Sequence, residues 1–131
     1  MIQETAIVSN KAHIDASVSV GPYCIIDENV SIGSNTILES HVVIKKNVVI
    51  GNNNHFYQFS SIGEQPQDLK FKGEDSLLII GNNNVFREFC TVHLPTKSRG
   101  LTKISNNCLF MTMSHVGHDC IIEDNVTLAN N

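Results

Sequence analysis

Residues 18–50 read VSVGPYCIIDENVSIGSNTILESHVVIKKNVVI, and every sixth residue of that stretch is large and apolar: Val20, Ile26, Ile32, Leu38, Ile44 and Ile50. A helix repeats about every 3.6 residues and a strand about every 2, so neither alone produces this period. A chain shows it when each hexad makes one short strand and one corner of a coil. Over the full 131 residues, from Ile2 to Leu128, the same phase gives 22 positions, and 19 of them are Ile, Val, Leu or Phe. The exceptions are Asp68, Glu74 and Ser98. The reading is all-β: a parallel β-helix, or hexapeptide-repeat solenoid, forming one domain over residues 1–131 with two external loops.

Four residues after each apolar position sits a small or β-branched residue that must also point inward, among them Ala6, Val30, Thr36, Val42, Ser60 and all four cysteines, Cys24, Cys90, Cys108 and Cys120. The cysteines are therefore expected to be reduced core residues. Likewise, Ile32, Ile50, Phe86, Ile104 and Ile122 are expected in one continuous core. Asn recurs three residues after the apolar position, at 29, 35, 47, 53, 83, 107, 125 and 131, and Gly often follows it directly, at 21, 33, 51, 63, 81 and 117. Both residues enter the left-handed backbone region cheaply, which a repeated corner would select.

The net charge of −4 is spread along the coil without a basic stripe, so nucleic acid is not an expected partner. The first residues lack the charge and apolar run of a signal peptide, and no stretch is long enough for membrane insertion. A cytoplasmic protein is expected. The chain ends at Asn131 inside a hexad. That ending predicts a partner chain over the last coil or a longer architecture of which residues 1–131 are the N-terminal part.

The repeat is interrupted twice, at about 64–77 (EQPQDLKFKGEDSL) and about 94–102 (LPTKSRGLT), and resumes in phase at Ile80 and Ile104. Insertions in a solenoid leave as loops on the outside, where function is often carried, although a tolerated surface insertion has the same composition. No nucleophile elbow, P-loop or dinucleotide fingerprint is present. The chemical candidates are histidines, above all His115-Val-Gly-His118-Asp119, because an imidazole held beside a carboxylate is what a general base needs. His93, His115 and His118 can also be read as a zinc trio. The hexapeptide-repeat carbonic anhydrases, however, separate their last two ligands by four residues, where this chain has a separation of two, so no metal is expected.

Several stretches together resemble the acyl-acyl carrier protein:UDP-N-acetylglucosamine O-acyltransferases of lipid A biosynthesis. They are Ser40–Ile44 (SHVVI), Tyr57–Glu64 (YQFSSIGE), Gln67–Lys70 (QDLK), Thr91–His93 (TVH), Gly100–Lys103 (GLTK), His115–Cys120 (HVGHDC) and Leu128–Asn131 (LANN). The hexad alone is shared by many acetyltransferases; the QDLK loop followed by His-x-x-His-Asp-Cys is far more specific. The resemblance implies a left-handed coil of three hexads per turn and a homotrimer with clefts between subunits. It also implies transfer of a 3-hydroxyacyl group from acyl carrier protein to the 3-hydroxyl of UDP-N-acetylglucosamine, with no cofactor and no covalent intermediate. His118 would be the general base and Asp119 its orienting carboxylate. Gln67, Asp68 and Lys70 would bind substrate, His93 would lie toward the nucleotide phosphates, and His115 would help build the pocket. The family continues with further coils and a C-terminal helical domain that carry more of the site. Two other readings stay open: an acyltransferase acting on a related nucleotide amino sugar, and a truncated remnant without catalysis.

Overall fold

The structure, a computed structural model, describes residues 1–131. It contains eighteen short strands, from Ile7–Val8 to Thr127–Leu128. They form three parallel six-stranded sheets in which each strand pairs with the third strand before and after it, the arrangement of a left-handed parallel β-helix. The first sheet begins at Ile7–Val8 and ends at His115–Val116, the second runs from His13–Ile14 to Ile121–Ile122, and the third from Ser19–Val20 to Thr127–Leu128. Paired residues are 18 apart through most of the stack, as Ile25 and Val43 are. Across the first interruption the spacing becomes 30, as between Ser61 and Thr91, and across the second 24, as between Thr91 and His115. The insertions therefore amount to two hexads and one, which is why the apolar phase resumes unbroken and why its failures number two and one.

The apolar positions line the inside of the prism, where 23 residues form the buried core. In the third sheet Phe56, Phe86 and Phe110 stack with centroids 4.5 and 4.7 Å apart. Two of the inward positions hold Asn54 and Asn84, each only 1% exposed. Their amides are satisfied by a ladder: Asn54 Nδ2 donates to the Gly81 carbonyl at 2.8 Å, and Asn54 Oδ1 accepts from the Asn84 amide at 3.0 Å. Asn84 repeats the pattern one coil on, to the Ser105 carbonyl and the Cys108 amide. A buried amide is tolerated when donor and acceptor both find partners, and parallel stacking supplies them at every level.

Four expectations are corrected. Ile122 is only half-buried and Cys120 is exposed, whereas Cys24, Cys90 and Cys108 are buried free thiols. Both exceptions lie in the last coil, which has a neighbour on one side only, so an inward position there stays partly open. Both interruptions are shorter than 64–77 and 94–102, since Glu64 belongs to the strand Ser61–Glu64, Leu77 to Leu77–Ile80, and Leu101 and Thr102 to Leu101–Ile104. The corner asparagines do take positive φ, but among the glycines after the apolar positions only Gly63 does. Gly33, Gly51 and Gly81 answer to crowding: a Cβ on Gly33 would lie 2.7 Å from the Gly51 carbonyl oxygen, one on Gly51 2.6 Å from that of Gly81, and one on Gly81 2.3 Å from that of Ser105, whereas one on Gly117 would meet nothing closer than 3.7 Å. At Gly33, Gly51 and Gly81 neighbouring coils approach too closely for any side chain.

The corner between the third and first sheets departs from the Asn rule. Tyr23, His41, Phe59, Phe89 and Met113 hold φ values between 58 and 67° and form an exposed column. Along it Tyr23, His41, Phe59 and Phe89 follow one another at 5.1 to 5.4 Å between ring centroids.

Candidate active site

The candidate residues His93, His115, His118 and Asp119 lie in or directly after the last strands of the first sheet. Ser61–Glu64, Thr91–His93 and His115–Val116 are its last three strands, with Ser61, Thr91 and His115 in register. A bulge at Gly63, whose φ is +87°, shifts the pairing so that Glu64 rather than Gly63 faces His93. Both loops leave from this edge, and the Leu94 amide donates to the Glu64 carbonyl at 2.9 Å. The sheet thus stacks three strand ends, and the loops depart beside them.

His118 Nδ1 lies 2.8 Å from Asp119 Oδ2. Asp119 occupies the corner position that Asn29 and Asn47 fill in earlier coils, and it shares their positive φ, at 62°. Its backbone amide donates to Thr102 Oγ1 at 3.0 Å. Its carboxylate accepts from the Thr96 hydroxyl at 2.7 Å and from the Thr96 amide at 3.2 and 3.3 Å. Burial pushes the Asp119 carboxyl upward, but the Thr96 hydroxyl, the His118 ring and the Thr96 amide outweigh it and hold the group below its ordinary value. Asp119 is therefore ionised and accepts only, so the hydrogen in the His118 contact sits on Nδ1. In the neutral ring this leaves the Nε2 lone pair of His118 free, on a side chain 40% exposed.

His115 Nδ1 is 2.7 Å from Thr91 Oγ1, and its ring meets that of His93 edge-on at 4.6 Å. His93 is only 6% exposed and its Nδ1 has no hydrogen-bond partner. Burial lowers its pKa, the neighbouring His115 lowers it further, and Glu64 only partly offsets this. His93 is a neutral imidazole at neutral pH. No group of three or more His, Cys, Asp or Glu in this chain is arranged to hold a metal ion.

The side-chain hydrogen bonds of the first loop are all local and reach none of these residues. Gln67 and Lys70 are exposed, and Asp68 Oδ1 accepts from the Lys70 amide at 2.9 Å in a local turn. None of the chain's main clefts is lined by His93, His115, His118 or Asp119. One chain presents the pair on an open wall.

Comparison with known proteins adds to this geometry. Residues 11–46 match the family described as bacterial transferase hexapeptide (six repeats). The acyl-[acyl-carrier-protein]–UDP-N-acetylglucosamine O-acyltransferase of Psychrobacter sp. (strain PRwf-1) is 53% identical over 122 residues, 92% of this chain and 47% of that protein. The protein of the same name from Saccharophagus degradans is 50% identical over 131 residues, 99% of this chain and 51% of its own length. Among solved structures, LpxA from Acinetobacter baumannii superposes with a TM-score of 0.94 at 48% identity, covering 96% of this chain and 49% of that one. The UDP-N-acetylglucosamine acyltransferase of Francisella novicida also gives 0.94, at 45% identity over 97% of this chain and 47% of that one. The chain belongs to the UDP-N-acetylglucosamine O-acyltransferase family. It spans about half the length of the curated relatives it matches.

Within that family frame, the sequence-predicted residues fall into two contacting pairs, His93 with His115 and His118 with Asp119, while Gln67, Asp68 and Lys70 stay on the loop. Three polar residues of the site were missed. Thr91 read as an ordinary strand residue, and Thr96 and Thr102 as residues of the second loop. Only the spatial neighbourhood shows that their hydroxyls touch His115 and Asp119.

Proposed function

We propose that this chain supplies the general-base part of an enzyme that transfers a 3-hydroxyacyl group from acyl carrier protein to the 3-hydroxyl of UDP-N-acetylglucosamine. The observation that carries the reading is the His118–Asp119 pair, with Nε2 left free, in a chain about 50% identical to proteins named for that reaction. The sugar oxygen attacks the thioester carbonyl and loses its proton to His118 Nε2. The tetrahedral intermediate then collapses with cleavage of the carbon–sulfur bond, and the thiolate takes the proton back from the imidazolium. Asp119 stabilises that imidazolium, as a triad carboxylate does, without accepting the proton itself. Gln67, Asp68 and Lys70 hold the sugar and the acyl hydroxyl. His93, being neutral and buried, serves as wall and hydrogen-bonding group toward the nucleotide, not as a positive charge.

The active assembly in this reading is a homotrimer, in which a neighbouring subunit's first loop closes over His118. Two features support it: the pair lies on an open wall, and the exposed Tyr23–Met113 column borders the same sheet, a large apolar strip of the kind that interfaces cover. A cytoplasmic location goes with an acyl carrier protein as donor. No helix is long and apolar enough to cross a membrane.

The test is an assay of the purified protein with UDP-N-acetylglucosamine and a 3-hydroxyacyl carrier protein, with native mass spectrometry of the same sample. An alkali-labile ester product is expected, and His118→Ala should lower the rate by at least about 100-fold, the lower end of general acid–base contributions. An amide product would move the chain to the amino-sugar reading. A trimer that is inert, or a His118→Ala variant with full activity, would overturn the proposal.

A further inference from the structure

The second loop makes only one set of side-chain hydrogen bonds to the body of the coil, and all of it goes through Thr96 to Asp119. The Thr96 hydroxyl and the His118 ring share one oxygen, Asp119 Oδ2, at 2.7 and 2.8 Å. The Thr96 amide spans both carboxylate oxygens, and the Asp119 backbone is fixed from the other side by Thr102. A carboxylate on its own rotates about its last bond. Here the loop sets that rotation, because two donors of one residue and the imidazole must be satisfied together.

We infer that Thr96 is a positioning residue: its hydroxyl orients the Asp119 carboxylate so that Oδ2 holds the His118 proton on Nδ1, making the second loop part of the device that keeps Nε2 free. The inference rests on His118 being the base of the proposed reaction, but the tautomer it predicts is a property of the resting protein. A free neutral histidine side chain in water prefers its proton on Nε2, so the Nδ1–H form of His118 predominates here only while Asp119 is held in place. A loop that moved away on substrate binding or release would loosen the base with it.

Thr96→Val keeps size and backbone amide while removing the hydroxyl, and Thr96→Ser restores it. Ring nitrogen-15 shifts of His118, read in the full chain at a pH where the imidazole is neutral, report the tautomer directly. The wild type and Thr96→Ser are expected to show Nδ1–H, and Thr96→Val a shift toward Nε2–H, with the remaining amide spectrum unchanged outside the loop and the 115–120 segment. In the acyl-transfer assay Thr96→Val should lose about tenfold in kcat at constant KM, a fraction of the general-base contribution, and Thr96→Ser should recover it. A wild-type tautomer in Thr96→Val, or an Nε2–H tautomer in the wild type, overturns the inference. If no variant or wild type transfers acyl groups, the functional reading fails while the tautomer result still decides this one.

Discussion

Burial makes His93 a pH-dependent liability. Its pKa is lower in the folded chain than the ordinary 6.5, so below that value the unfolded chain binds the proton more readily. The contribution to stability is whole above pH 6.5 and declines as the pH falls through the folded value. Replacing His93 by Gln removes this proton linkage, so the loss of stability between pH 8 and pH 5 should be smaller in His93→Gln than in the wild type. Urea midpoints at the two pH values measure it, and equal losses would place the acid sensitivity elsewhere. The unpartnered Nδ1 belongs to the same account: a buried nitrogen without a hydrogen bond costs about 1–3 kcal/mol, tolerable in a group that stays neutral.

At the level of the strand and its corner, each hexad must turn through the left-handed backbone region. Asn does this cheaply, and the five residues of the aromatic column do not, since an ordinary side chain there costs roughly 1–2 kcal/mol. Stacking between rings offsets part of that for Tyr23, His41, Phe59 and Phe89, which have ring neighbours. Met113 is 58% exposed at φ 67° and is not part of that ring stack. Met113→Asn is therefore expected to stabilise the isolated chain by about 0.5–1 kcal/mol, in line with the cheaper left-handed conformation. Thermal unfolding checks it. If the assembled trimer covers this column, the same substitution should weaken assembly while stabilising the monomer.

Across the whole molecule, a solenoid is stabilised by contacts between successive coils, so equal side chains differ in worth by position. Ile50 is 2% exposed in the middle of the stack, whereas Ile122 is half-buried in the last coil. Ile50→Ala should cost about 2–5 kcal/mol, the usual range for a core isoleucine, and Ile122→Ala clearly less. Denaturant titration of the two variants tests the coil-by-coil picture. Equal losses would mean that the terminal coil is covered by another chain under the conditions of measurement.

Periodicity alone determined the strands, the inward faces and the two loops, because a hexad repeated through the chain leaves one way to bury its apolar column. The His118–Asp119 pair was legible too, since adjacent residues at a corner need no folding to be near each other. Contacts between coils were not legible. Thr96 lies 23 residues from Asp119 and Thr91 lies 24 from His115, and only the stacking of coils brings each hydroxyl to its partner. The same holds for Gly33, Gly51 and Gly81, selected by the neighbouring coil's carbonyls and not by their own φ, and for the burial of His93, which depends on the loops and strands packed around it. Local pattern fixes which way a residue points. What it meets there is decided one coil away, where tertiary packing sets hydrogen bonds and desolvation.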